Sequence, residues 1–358
     1  MSMPSLDTRD RSISLRQIWY VLLIAFMLVL PLTGLLGPYY VGLVVDVLVL
    51  ALFATSFNIL WGYTGLLSFG HTAYYGLSAY TIAIIFNDMF SGIPGFFHSF
   101  IVAVILGTLV ATVGAAIFGA LCVQRDEFYF AMLTLAFNMM LYLFARTYTD
   151  ISGGVNGLSV AVTEINLGLF SFSPLQGWNY YYFSLVVITL AMIAIWRIVN
   201  SPYGDLLKAI RESPERAEYI GVRVKYFQWS SFVISGFFAG LAGALGVVRT
   251  FLVSPDMMHW SVSADPVFAT LIGGSSVFAG PTLGALVLIG LEIFLTQMTE
   301  HWHIALGLIL IPLVLFAPKG ILGTLVDQDQ SWSINEIQNK ITSKQNRDPK
   351  SEPEVKDD

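Results

Sequence analysis

The amino-acid sequence predicts an all-α membrane protein, a polytopic bundle of about 8–10 transmembrane helices with broken or re-entrant segments. Three observations carry that expectation. Of the 358 residues only 12% are charged and 56% are hydrophobic, whereas soluble domains carry about a quarter charged residues. Apolar runs of about eighteen residues or more recur along the chain, enough for a helix to cross the hydrocarbon core. The runs do not alternate apolar and polar side chains, which excludes a β-barrel.

The elements follow in order. Arg9, Arg11 and Arg16 precede an apolar stretch at 18–36 that is longer than a signal-peptide core and has no small-residue cleavage site, so it reads as an uncleaved first span. Further spans are expected at roughly 41–61, 66–86, 99–122, 128–147, 180–199, 229–251, 266–279, 282–299 and 303–318. The segment at 266–279 is short enough to cross or to re-enter. This divides the chain into an N-terminal segment 1–17, a membrane domain 18–325 and a polar tail 326–358, in which Ser331 to Ile341 is a candidate amphipathic helix. No internal repeat stands out.

Charge sets the expected orientation. With the N-terminal arginines inside, Arg125, the Arg197–Lys225 segment and the tail also fall inside, so both termini are expected in the cytoplasm. The connections 37–40, 87–98, 148–179 and 252–265 then lie outside and contain no Lys or Arg. The net charge of −6 gives no footprint for nucleic acid. The single cysteine, Cys122, lies in an apolar run and reads as a small core residue.

Five groups of residues stand out. First, Ser201-Pro202 and Ser213-Pro214 each place a hydroxyl before a first-turn proline, and Gly221 supplies a stop. Two short helices are expected, with Tyr203, Leu206, Leu207 and Ile210 on one face and Lys208, Arg211, Glu212 and Glu215 left to water or a partner. Second, Asn58 to His71 is interrupted by Gly62, Gly65 and Gly70 beside Asn58, Thr64, Ser68 and His71. This is either a substrate-lining break or a tight turn between spans. Third, Gly107, Ala111, Ala115 and Gly119, with Gly236 and Gly240, are spaced for close helix packing. Fourth, Gly273-Gly274 and Gly280-Pro281 bracket a bend. Fifth, Glu292 lies inside a span, where an acid is a functional candidate, although a proton relay needs a partner that the sequence does not name.

Enzyme chemistry has little support. No G-x-x-x-x-G-K-[ST] loop, H-E-x-x-H spacing, serine nucleophile motif or cysteine pair occurs, so neither a metal site nor a cofactor is expected in this chain.

Together these stretches resemble the Liv-type permeases of bacterial ABC importers, in their LivM-like branch. The resemblance rests on Asn58 to Ala79 (NILWGYTGLLSFGHTAYYGLSA), Ser201 to Val224 and Phe237 to Leu245 (FFAGLAGAL), and covers roughly residues 40–325. It implies that the segment at about 200–226 is a cytoplasmic coupling loop, with Glu218 and Gly221 in its motif and Arg211, Glu212 and Ala217 on the face that meets an ATPase. It also implies a translocation pathway lined by Asn58, Gly65, Ser68, Gly70 and His71, with Glu292 as a further candidate.

The partners implied are a homologous second permease, two cytoplasmic ATPase subunits that bind the ATP, and a periplasmic substrate-binding protein docking near 148–179, all at a bacterial inner membrane. Branched-chain amino acids are the expected solutes, with urea, short amides and other small solutes as alternatives. Ser276 and Val277 depart from the family's usual glycine-rich turn. An ion-coupled carrier and an intramembrane enzyme or scaffold are the readings from other classes.

Overall fold

A computed structural model describes residues 37–87, 99–125, 127–160, 165–166, 171–172, 177–317 and 319–324. The expected segment 1–17, first span 18–36 and tail 326–358 lie outside the described residues. The architecture is all-helical and polytopic, as expected. Among the described residues, seven helical stretches are long and apolar enough to cross a membrane.

Helix α1 (Pro38–Asn58) opens on proline and runs without interruption into a π turn at Ile59–Thr64. The chain reverses at Gly65, whose φ of 84° suits glycine. Residues 65–70 are not helical, and α2 begins only at His71 and ends at Phe86. The expected span 66–86 is therefore shortened at its start. Helices α3 (Phe100–Cys122), α4 (Glu127–Thr147) and α5 (Gly177–Val199) follow. Two short helices, α6 (Pro202–Glu212) and α7 (Pro214–Tyr219), precede the long α8 (Val224–Thr250). That helix starts inside the segment 200–226 read as a loop. The expected eighth span is a ten-residue helix, α9 (Ala264–Gly273), too short to cross. Helices α10 (Gly280–Met298) and α11 (Trp302–Phe316) complete the described bundle.

Strands are minimal. After α4, β1 (Leu158–Ser159) pairs antiparallel with β4 (Leu252–Val253), which follows α8. Between them β2 (Ile165–Asn166) pairs with β3 (Ser171–Phe172). Asn87 Nδ2 donates to the Ser159 carbonyl at 2.8 Å, so three connections are tied together at the end of the bundle opposite α6 and α7.

The centre is α1, α2, α3 and α8, and the small-residue stripes explain how tightly they meet. A Cβ added at Gly240 would lie 2.5 Å from Ala111 Cβ, and one at Gly119 would lie 2.6 Å from a ring carbon of Phe232. The packing partner of the α3 stripe is thus α8 of the same chain at Ala111, Ala115 and Gly119, and α2 at Gly107. Trp229 Nε1 donates to the Ala116 carbonyl at 2.9 Å and fixes the register of the two helices. Cys122 is a free, buried thiol, as its apolar run suggested.

Because Ala111 lies on backbone that cannot retreat, Gly240→Leu should cost about 1–3 kcal/mol of overpacking strain. The expected outcome is a lower melting temperature of the detergent-solubilised protein, with Gly290→Leu, where an added Cβ meets nothing within 4 Å, as the near-neutral control.

Candidate functional site

The amphipathic pair α6–α7 is held to the bundle by its inward face. Leu207 packs into the main core, while Ile210 and Ala217 cluster with Val224. The Ser230 hydroxyl donates to the Phe227 carbonyl at 3.0 Å, so Tyr203 Oη is the donor in the 2.7 Å bond to Ser230 Oγ. Outside the hydrocarbon region, burial raises the Tyr203 phenol above its usual range, which keeps that donor proton in place.

Helix α7 is closed at both ends. Ser213 Oγ accepts from the Arg216 N–H at 3.4 Å. At the other end the Gly221 N–H donates to the Glu218 carbonyl at 2.9 Å and the Val222 N–H to the Ala217 carbonyl at 3.1 Å, a Schellman cap with Gly221 at φ 90°. The Ser201 hydroxyl does not cap α6, because it donates to the Ile198 carbonyl at 2.6 Å instead.

The sequence-predicted coupling residues separate into two groups. Glu212, Glu218 and Gly221 are exposed. Beside them Tyr219 and Ile220 are 88% and 78% exposed at the tip of α7, a pair that sequence reasoning missed although two bulky apolar residues before a stop glycine were legible. Ala217 is buried and packs against Ile210 and Val224, so it anchors the platform instead of presenting to a partner. Arg211 is exposed overall, but its guanidinium Nη1 turns back and donates to the Gly62 carbonyl.

That bond joins the platform to the Asn58–His71 break. A Cβ at Gly65 would lie 3.2 Å from Arg211 Cγ. On the other side of Gly62, a Cβ would meet both Asn58 Oδ1 and the Ser275 carbonyl, and Asn58 Nδ2 donates to that carbonyl at 3.2 Å. The turn at 62–65 therefore touches α6 and the α9–α10 turn at once. The bend at Gly273–Gly280 has Gly274 at φ 105°, and Gly280 and Pro281 open α10.

From Gly65 the chain climbs back into the bundle. The Thr134 hydroxyl donates to the Ala131 carbonyl at 2.8 Å and accepts from the Phe69 N–H at 3.2 Å. Gly70 N–H donates to Ser68 Oγ at 3.4 Å, and a side chain at Gly70 would strike the Thr134 carbonyl.

His71 then sits fully buried against Phe53 and Phe57, with ring centroids 5.4 and 5.7 Å away. Its tautomer follows from its neighbours. The Ser56 hydroxyl donates to Phe53 O at 2.7 Å and the Ser235 hydroxyl to Ser56 O at 2.5 Å, so both oxygens can only accept from His71. Nε2 carries the proton and donates to Ser56 Oγ at 3.0 Å and Ser235 Oγ at 3.3 Å. The ring thus locks α1, α2 and α8 together.

Glu292 lies half-buried on α10, away from this junction. Arg249 on α8 pairs with Asp46, Nε to Oδ1, at 3.6 Å. Among the described residues no group of three metal-ligating side chains comes together.

A family model described as the branched-chain amino acid transport system / permease component matches residues 39–317. The chain belongs to this family. It is 27% identical over 286 residues to the high-affinity branched-chain amino acid transport system permease protein LivM of Escherichia coli (strain K12), covering 74% of this chain and 65% of that protein. The permease thus spans just under two thirds of that relative's length. Over 111 residues it is 34% identical to the guanosine ABC transporter permease protein NupP of Bacillus subtilis (strain 168), covering 30% of this chain and 32% of NupP. Over 99 residues it is 30% identical to the fructose import permease protein FrcC of Rhizobium meliloti, covering 27% of each. No solved structure matches the chain.

Replacing both Ser56 and Ser235 by Ala leaves the His71 N–H of this permease without an acceptor in a dry site, at about 1–3 kcal/mol. The expected outcome is a clear drop in detergent melting temperature for the double variant, with each single variant close to wild type because one acceptor remains.

Proposed function

We propose that this chain is the permease subunit of an ATP-binding cassette importer, forming the translocation path for branched-chain amino acids while partner subunits bind and hydrolyse ATP. The observation that carries the reading is the α6–α7 platform. A capped helix anchored by Leu207, Ile210 and Ala217 lifts Tyr219 and Ile220 out of the bundle, and exposed aromatic and aliphatic side chains on a rigid base suit an anchor for a partner protein. Glu212 and Glu218 flank them and would give the contact its polar rim.

Membership of the family supports the partners in kind: a second permease, two ATPases beneath α6 and α7, and a binding protein at the opposite end, near β1 and β4. The distribution of Lys and Arg supports an orientation with α6 and α7 in the cytoplasm of a bacterial inner membrane. The branched-chain solute follows the LivM likeness over most of the chain. NupP and FrcC, which match shorter stretches, are named for guanosine and fructose, so other small solutes within the same family are the alternative.

The test is reconstitution of this chain with its co-purifying subunits in proteoliposomes. Uptake of leucine that requires ATP, and stops with vanadate, is the expected result. Uptake by the chain alone that collapses with an ion gradient would overturn the reading in favour of a carrier.

Two variants probe the platform. Tyr219→Asp with Ile220→Asp should abolish co-purification of the ATPases while the permease still inserts. Gly221→Val places a side chain where no atom lies within 4 Å, so its cost is backbone strain of about 1–2 kcal/mol, and uptake should fall several-fold as the α7 cap loosens. For Glu292→Gln, uptake unchanged from acid to neutral pH is expected of an ATP-driven path, and a lost pH response would point to a proton relay.

A further inference from the structure

Two parts of the bundle have the same plan run in opposite directions. In the first, α1 descends towards the α6–α7 end, the chain reverses, and α2 starts partway up the bundle, followed by the long α3. In the second, α8 ascends from α7, the chain reverses beyond β4, and α9 starts partway down, followed by the long α10. Contacts give the depth of the joint. His71 is level with Ser56, about 12 Å along α1 from Thr64 at 1.5 Å per residue, and Thr72 bonds Asn138, about 16 Å along α4 from its start. The residues after β4 must dip to the same level, because Asn138 Nδ2 donates to the Met258 carbonyl at 2.9 Å. Discontinuous helices that meet near the middle of a bundle are a recurring way to build an alternating-access path.

The helices α2 and α9 meet at their N-terminal ends, Thr72 in the first turn of α2 and Ser263 just before α9. Thr72 Oγ1 donates to Asn138 Oδ1 at 3.2 Å, which leaves Ser263 as the donor in its 2.5 Å bond to Thr72 Oγ1. All three side chains are fully buried. Each such neutral bond is worth only about 0.5–1.5 kcal/mol net, so the joint can open if water or a polar solute takes the place of its partners. The turn that precedes α2 and the turn that follows α9 are tied to each other and to α6. Arg211 Nη1 donates to the Gly62 carbonyl, Asn58 Nδ2 donates to the Ser275 carbonyl, and Gly62 lies close enough to that carbonyl that an added Cβ would meet it. A displacement of α6 is thereby delivered to the turn that leads into α2 and to the turn that follows α9.

We propose that Thr72 and Ser263 form a gate at the centre of the permease, and that Arg211 is the positioning residue that links the gate to the coupling helix α6. The proposal rests on the ABC reading above, because it needs a partner that moves α6 between two nucleotide states. Arg211 acts through Gly62 and does not itself bind an ATPase. The population shift comes from the partner's unequal affinity for the two positions of α6.

The experiment uses the complete transporter in proteoliposomes, with Thr72→Cys and Ser263→Cys in a Cys122→Ala background, and reads copper-phenanthroline cross-linking independently of the solute. The cross-link yield is expected to differ at least about fivefold between ADP and ATP–vanadate states, and Arg211→Ala is expected to abolish the difference while the ATPases still co-purify. Equal yields in both states overturn the gate. A difference that survives Arg211→Ala overturns the link, and loss of the ATPases from Arg211→Ala makes it a docking residue instead. Should the cysteine pair fail to insert, hydrogen–deuterium exchange on the unmodified transporter replaces it. Faster exchange at 69–73 and 262–266 in one nucleotide state supports the gate, and identical exchange overturns it. A wild-type chain that brings down no ATPase overturns the ABC reading itself, an outcome distinct from all of these.

Discussion

Backbone hydrogen bonding inside the membrane is the constraint on which the rest of this bundle depends. A helix satisfies its own N–H and C=O groups, and a chain that leaves helix at depth must find other partners or lose several kcal/mol per group. Between Gly65 and Gly70 this permease leaves helix within the bundle. The Leu66 N–H reaches back to the Leu60 carbonyl, Phe69 donates to Thr134, and Gly70 donates to Ser68. The Gly62 carbonyl takes a guanidinium from α6. Each of these side chains therefore has a structural duty, and the break can exist only where α4, α6 and the α9–α10 turn are already in place around it.

Close helix contact follows from the same demand. For Thr134 and Ser235 to reach the break, α4 and α8 must approach α1 and α2 more closely than leucine-lined helices allow. Glycine and alanine at 111, 115, 119, 236 and 240 let α3 and α8 meet almost backbone to backbone, while Gly107 lets α3 approach α2, where an added Cβ would already be 2.8 Å from Ser78 Oγ. In lipid the apolar side chains gain little from one another, so packing of this kind and hydrogen bonds between helices supply most of the cohesion.

Much of the fold was legible because long apolar runs have one solution in a bilayer. The spans near 99–122, 128–147, 180–199 and 282–299 correspond to α3, α4, α5 and α10 to within a few residues. The break at Gly62, Gly65 and Gly70 was visible as glycine inside apolar sequence. What hydropathy could not reveal is that the run 66–86 opens with five non-helical residues before the 16 of α2, since Leu66 and Leu67 are as apolar as the α2 residues that follow. The opposed arrangement of α1–α2–α3 and α8–α9–α10 was equally hidden, because it lives in helix direction and not in residue identity. The resemblance alone set Ala217 on the partner face, whereas it packs inward on Ile210 and Val224; six residues of α7 are less than two turns, too few for periodicity to have chosen the face. The direction taken by Arg211 was beyond sequence, for its partner is a backbone carbonyl 149 residues away.

The chemistry of that last contact accounts for the residue type. The position needs a side chain whose stem can lie against Gly65 at van der Waals distance while its head stays charged and reaches a carbonyl at the edge of the apolar region. Arginine does this because its methylenes tolerate an apolar surface and its guanidinium is weakly hydrated and never loses its proton. A charged donor to a neutral carbonyl contributes about 1.5–3 kcal/mol, more than a neutral pair. The link from α6 to Gly62 is therefore stronger than the single hydroxyl bonds at the start of α2. When a load is applied through α6, the Thr72–Ser263 contact should yield first. A stiff connection at the edge and a soft one at the centre is the ordering that lets a surface movement open an interior joint.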